Sequence, residues 1–295
     1  MYKKKFETYD MSCNENLYIL FLYKTLPGRI ILRLLLKRTI SKFLGIIMDS
    51  GISRFLIHAF IKNNNICMDE YKTTKYKSFN DFFTREIKKG GRVISTNTHE
   101  VIAPCDGKMT VYPITSDSVF RIKNSVYSVN GLLQNRQLAD DFTGGICLIF
   151  RLMPDDYHRY CYIDDGEIVS QKKIKGVFHT VRPIAMQRYN IYTQNSREYA
   201  VLQTINFGKV IQIEVGALFI GRIVNHIKEG AFKRGDEKGM FEFGGSTIIL
   251  LFQKDVIKAD DIIYENTQQN KETIVKMGNK IGEKIFNDIK KEDEQ

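Results

Sequence analysis

Three short stretches of the chain combine residue types that could do chemistry. Residues 241–250 read FEFGGSTIIL, so Gly245 and Ser246 form a small, hydroxyl-bearing turn ahead of the apolar run Ile248 to Phe252, which has the character of a buried strand. Taken alone, a glycine pair there is also ordinary punctuation in a hairpin. Asp155-Asp156-Tyr157-His158-Arg159-Tyr160-Cys161 sets a histidine among carboxylates and an arginine. Such an imidazole can exchange protons near neutral pH, or can simply belong to a surface ion-pair cluster. Ala103-Pro104-Cys105-Asp106-Gly107 places a carboxylate at a strand end, where an Asp-Gly turn is the plainer reading.

Spacing excludes several familiar sites. A nucleophile elbow needs Gly-x-Ser-x-Gly, whereas Ser246 is followed by Thr247 and Ile248. Neither a GxxxxGK phosphate loop nor an HExxH helix occurs, and His158 has no histidine partner at ligand spacing, so no metal is expected. The cysteines Cys13, Cys67, Cys105, Cys147 and Cys161 are odd in number and scattered, with no CxxC pair. That argues against disulfide scaffolding and structural zinc, and for a reducing cytoplasm.

The elements that must position these residues change character along the chain. Residues 1 to about 66 read as helical, with breaks at Pro27-Gly28 and at Asp49-Ser50-Gly51. Ser78 offers an N-cap for a short helix in which Phe79, Phe82 and Phe83 share a face. From Arg92 onward, runs rich in Val, Ile, Phe and Tyr alternate with turn signals such as Asp106-Gly107, Gly144-Gly145 and Asp165-Gly166, which predicts an antiparallel β domain of many strands. The fold class is therefore α+β, divided into a basic helical region, 1–92, and a β-rich domain, 93–295.

The formal charge of +10 is concentrated at the amino-terminal end, where residues 1–92 carry 18 Lys and Arg against 8 Asp and Glu. No uncharged run there is long enough to span a bilayer, and Lys3 to Lys5 are not followed by the apolar core of a signal peptide. Basic residues interleaved with leucine and isoleucine fit a helix lying on an anionic membrane surface, or one packing its apolar side on a core. They do not make the basic stripe with stacking aromatics that nucleic-acid binding requires. The charged tail Lys290 to Gln295 reads as a solvated end.

Taken together, the motifs resemble the phosphatidylserine decarboxylases. FNDFFTRE (79–86), APCDGK (103–108), DYHRY (156–160), VGALFIGRI (215–223), KRGDEKGMFEFGGST (233–247) and VKMGNKIG (275–282) occur in the family's order, over about Tyr76 to Gly282. The resemblance implies a β core of barrel-sandwich type, a homodimer, and a pyruvoyl cofactor made from Ser246 by self-cleavage of the Gly245-Ser246 bond into chains 1–245 and 246–295. It further implies decarboxylation of phosphatidylserine to phosphatidylethanolamine by a peripheral enzyme on the cytoplasmic face of the membrane. By the same resemblance, His158 is the acid that reprotonates the substrate carbon, and Asp106 orients and charge-stabilises the base for self-cleavage.

One departure bears on that base. Where the family's motif has a second histidine, this chain has Cys161. Three expectations stand: His158 serves both steps, another group such as His179 or a Cys161 thiolate substitutes, or cleavage is slow. An alternative is a processing-deficient, membrane-binding homologue that keeps the fold without the activity.

Overall fold

Strands dominate, and the β-branched and aromatic runs of the central ones, such as β6 and β14, bury both of their faces. In chain order they are β1 (Thr8–Asp10), β2 (Glu100–Ile102), β3 (Gly107–Pro113), β4 (Val119–Ile122), β5 (Ser125–Ser128) and β6 (Ile146–Leu152). They continue with β7 (Arg159–Cys161), β8 (Gly166–Ile174), β9 (Arg197–Thr204), β10 (Gly208–Phe219), β11 (Ile223–Asn225) and β12 (Gly230–Phe232). The last are β13 (Glu237–Phe241), β14 (Gly244–Phe252), β15 (Ile257–Ala259), β16 (Lys271–Val275) and β17 (Lys280–Lys284). The structure is a computed structural model that describes residues 6–10, 17–36, 38–72, 75–122, 125–186, 189–219 and 222–286.

Nine strands form one antiparallel sheet in the order β1-β16-β3-β6-β14-β10-β9-β8-β12, with β14 at its centre. Smaller sheets, β11-β13-β7 and β15-β17-β2, lie in a second layer. The α+β class is as expected, but the barrel-sandwich expectation needs correction. The large sheet stays open, with the three-residue strands β1 and β12 at its two edges, and the described residues form no closed barrel. Closure would require those edges to pair with each other.

The period of two along β14 distributes its side chains between two cores. Ile248, Leu250 and Phe252 join a cluster with Val101, Tyr160, Cys161 and Phe241 of the second layer. Ile249 and Leu251 join a cluster on the opposite face with Ile213, Val215 and the helical residues Ile19, Leu22, Tyr23 and Leu32.

The amino-terminal helices are α1 (Leu17–Lys24), α2 (Leu26–Leu35), α3 (Arg38–Asp49) and α4 (Phe55–Asn63), followed by α5 (Phe79–Phe83). Pro27 sits in the first turn of α2, where its missing N–H costs nothing, and Thr25 caps that helix by accepting from Gly28 N at 3.0 Å. The break falls between helices because Pro27 starts one. Ser78 caps α5 as expected, accepting from Asp81 N at 3.1 Å. The helical reading missed β1, which pairs with β16. Lys3 to Lys5, Cys13 and the tail Lys290 to Gln295 lie outside the described residues.

Helices α1 to α4 leave large apolar side chains in solvent. Leu17, Leu26, Ile30, Phe43, Ile46 and Phe55 are all exposed, beside Lys24, Arg29, Arg33, Lys42 and Arg54. Among the described residues no single helix is long and apolar enough to cross a membrane; the bent pair Thr39–Asp49 and Gly51–Asn63 meets that test only when both parts are counted together.

Candidate active site

Ser246 stands near the start of β14, paired with Leu152 of β6 and Gly216 of β10. The expected turn lies slightly earlier, at Glu242 and Phe243, so Gly244 and Gly245 already belong to the strand. Gly244 adopts φ of 150°, a conformation that side chains resist and glycine permits. Ser246 shares its parity with Ile248 and Leu250, so its hydroxyl faces the second layer. Its Oγ is buried and has no hydrogen-bond partner among the described residues. An unpaired buried hydroxyl costs about 1–3 kcal/mol, which makes Ser246 Oγ a group that calls for an explanation.

His158 enters from that same second layer, just before β7. Its ring packs against Phe83 of α5 with centroids 4.0 Å apart, and its carbonyl accepts from Phe241 N at 2.9 Å. Nδ1 lies 2.9 Å from the Asp156 carbonyl oxygen, and Nε2 is buried without a partner. Burial pushes the imidazole down to about 3, and the charges of Arg85 and Lys108 act in the same direction. The ring is therefore neutral at pH 7. A carbonyl oxygen can only accept, so the proton resides on Nδ1 and Nε2 carries a free lone pair. That is the form a general base needs.

The carboxylate ahead of it is structural in its contacts. Asp156 receives Lys108 Nζ at 2.9 and 3.1 Å and Met153 N at 2.7 Å, which fixes the carbonyl that orients His158. Asp106 is fully buried and bound by Arg92 at 2.6 and 3.0 Å, by Lys276 at 3.1 Å and by Met277 N at 2.8 Å. Burial alone would raise its carboxyl, but the Arg92 hydrogen bonds and the Lys276 charge hold it below the ordinary carboxylate range. It has no hydrogen bond to His158 and reaches it through its field, which favours the protonated imidazole slightly. The triad-like contact expected of Asp106 is thus replaced by an ionic clamp.

The two candidate substitute bases are placed differently. Cys161 is buried on β7, its N–H donated to Pro104 O at 2.8 Å, which seats it beside the Asp106 segment. Burial pushes its thiol up to about 12, so it is protonated at neutral pH. His179 lies with the other core. Its Nδ1 is 3.3 Å from the Tyr23 hydroxyl, its ring stacks on Tyr189 at 4.2 Å, and burial lowers it to about 4. The structure therefore brings Ser246, His158, Cys161 and Asp106 to one side of the large sheet and His179 to the other.

A cavity of about 420 Å3 opens at the head of β14, lined by Gly244 and Phe243, by Phe83, and by Arg151, Arg182 and Thr180. Tyr18 and Ile19 of α1, Phe60 and Asn63 of α4 and Asn64 just after it also line the wall. Residues within and near this site that spacing did not single out include Arg92, Lys276, Asn80 and the fully buried pair Glu214 and Lys238, 2.9 Å apart. Glu214 had a signal: a carboxylate inside the apolar run IQIEVGA must find a partner to be buried.

A family model described as phosphatidylserine decarboxylase matches residues 79–283. The chain is 49% identical over 278 residues to the phosphatidylserine decarboxylase proenzyme 2 of Clostridium acetobutylicum, covering 94% of this chain and 95% of that one. It is 39% identical over 289 residues to a phosphatidylserine decarboxylase proenzyme of Ruminiclostridium cellulolyticum, with 96% of each covered. Against the proenzyme of Clostridium perfringens it is 38% identical over 291 residues, covering 96% of this chain and 99% of that one. By these matches the chain is a decarboxylase, one of the carboxy-lyases. It belongs to the phosphatidylserine decarboxylase family.

Proposed function

We propose that this enzyme decarboxylates phosphatidylserine to phosphatidylethanolamine with a pyruvoyl group made by its own cleavage at Gly245-Ser246. The observation that carries the reading is the pair of buried, unbonded atoms on one side of the sheet, Ser246 Oγ and His158 Nε2. The relatives' designation as proenzymes agrees with it, and no observation favours the processing-deficient alternative.

Ser246 Oγ gives its proton to His158 Nε2 and bonds to the Gly245 carbonyl carbon. The carbon–nitrogen bond then breaks and the nitrogen takes up a proton, leaving an ester. Loss of the Ser246 α-proton expels the Gly245 carboxylate from Cβ and leaves dehydroalanine. One water enters and one ammonia leaves, so no oxidant or reductant is needed. The products are chain 1–245 and chain 246–295 headed by the pyruvoyl group. Glycine at 245 leaves the attacked carbonyl unshielded, and Gly244 supplies the backbone freedom that the attack geometry needs.

The residues present fit such a group, since the site offers a neutral base, no competing partner for Oγ, and an adjoining cavity. A pyruvoyl carbonyl supplies the electron sink for loss of carbon dioxide. His158 then holds the proton that returns to the substrate carbon, while the cavity walls hold the headgroup and exclude water. The cavity lies beneath α1 and α4, whose exposed apolar and basic residues dock the enzyme peripherally on an anionic, cytoplasmic leaflet.

Intact mass spectrometry tests the central claim. A fragment beginning at residue 246 with its amine replaced by a carbonyl is expected, and a single species near 34.2 kDa would sink the proposal. For the docking, binding to anionic vesicles should weaken as salt rises. Salt-indifferent binding would count against it.

A further inference from the structure

From Ser246 onward β14 is zipped between β6 and β10, so the carboxyl-terminal side of the Gly245-Ser246 bond is fixed by sheet hydrogen bonds. Before it, Gly244 meets β10 only at Phe219, across an irregularity in register, and Glu242 and Phe243 are held by side chains from distant parts of the chain. Phe243 N donates to Asn80 Oδ1 at 3.0 Å, and Asn80 Nδ2 donates to Asp49 Oδ1 at 2.7 Å. Arg222 bonds the Glu242 carboxylate, lies 3.6 Å from the other Asp49 oxygen, and accepts from Glu242 N through its own carbonyl at 3.0 Å. The Phe243 ring stands edge-on to Phe79 at 4.8 Å and to Phe83 at 5.3 Å. Only Gly244 and Gly245 separate this clamp from Ser246.

We propose that Asp49, Asn80 and Arg222 form a positioning clamp on Glu242 and Phe243 that presents the Gly245 carbonyl to Ser246 for self-cleavage. The inference rests on the self-cleavage reading above and adds the residues that aim the bond. Intramolecular attack depends on holding the reacting atoms in near-attack geometry, and misplacement of about 1 Å can be costly. Two consecutive glycines carry much backbone freedom, and with Gly244 paired only to Phe219 across a register shift, their direction also depends on what fixes Glu242 and Phe243. Asn80 suits the task because its amide accepts from Phe243 and donates to Asp49 at once. It is buried on α5, the helix whose Phe83 also packs on His158. One short helix therefore seats both the base and the segment to be cut.

The test follows splitting of the freshly translated full-length chain on a denaturing gel. Asn80→Asp sets a second carboxylate against Asp49 and is expected to slow splitting about tenfold or more, roughly the loss of one part-buried hydrogen bond to a charged group. The double variant Asp49→Asn with Asn80→Asp exchanges donor and acceptor, and is expected to recover most of the wild-type rate. Wild-type speed in Asn80→Asp alone would overturn the clamp, as would a double variant no faster than the single one, which would mark Asn80 as packing only. A wild-type chain that stays whole would overturn the self-cleavage reading and the clamp with it; a wild-type chain that splits beside an indifferent Asn80→Asp removes the clamp alone.

Discussion

Strand β14 sends Ser246 to one face of the nine-stranded sheet and Thr247 to the other, and both hydroxyls are buried without a hydrogen-bond partner. Their company differs. Ser246 faces the side that holds His158, Cys161, the Asp106 clamp and the buried pair of Glu214, from the large sheet, and Lys238, from the second layer. Thr247 faces a mixed aliphatic and aromatic core with Val215, Ile249 and Tyr192, on whose side His179 is stacked against Tyr189 and bonded to Tyr23. Two orphaned hydroxyls one residue apart thus have equal burial and unequal chemistry. An unpaired polar atom marks a reactive group only where a base stands on the same side.

Removing each hydroxyl in turn tests this contrast most severely. Ser246→Ala should abolish the 246–295 chain, whereas Thr247→Val, which removes a buried unbonded hydroxyl at nearly constant shape, should split normally. The Thr247 variant should also unfold at equal or higher urea, by up to about 1–2 kcal/mol of added stability. Failure of Thr247→Val to split would erase the difference between the faces.

The histidines extend the same comparison. His158→Ala should slow splitting by about 10²–10⁴-fold, the usual worth of a general base, and His179→Ala by less than about threefold. Cys161→Ala belongs with His179 here, since a thiol pushed up to about 12 holds its proton at neutral pH. If either His179→Ala or Cys161→Ala stopped the small chain from appearing on a denaturing gel, the base would have to be reassigned.

Acid should weaken the Ser246 side through His158. Unfolded, a histidine gains its proton below about pH 6.5; folded, His158 resists until about 3 because burial disfavours the charge. The folded state binds fewer protons in that window, so stability falls as pH drops, by about 2 kcal/mol at pH 5 from this residue. Urea unfolding at pH 7 and 5 should show the loss in wild type, and His158→Gln should shrink it.

Much of the arrangement was legible in residue types and order. The strand-rich character after Arg92, the capped helix of Phe79, Phe82 and Phe83, and the motifs around Asp106, His158 and Ser246 all rest on local pattern, and each reappears in the structure. Other features were beyond local pattern. Asp106 was expected to orient a base, yet it bonds to Lys276 and Met277, far along the chain, and to Arg92. Strand β1 lies in a stretch that reads as helical, because its pairing with β16 overrides a weak local preference. The short helix Asp261–Gln268 was likewise not foreseen.

By itself the sequence determined that Ile248 and Leu250 share one face while Ile249 and Leu251 share the other, since alternation along a strand is a property of the backbone; the structure extends that alternation back to Ser246 and Thr247. The sequence could not say which face meets which histidine. The run Ile248 to Phe252 is apolar throughout because both faces are buried, so its pattern carries no label for inside and outside. Only the tertiary structure decided that His158 and Cys161 lie on the Ser246 side and His179 on the Thr247 side, because that choice depends on how a second layer and the amino-terminal helices pack against opposite faces of one sheet.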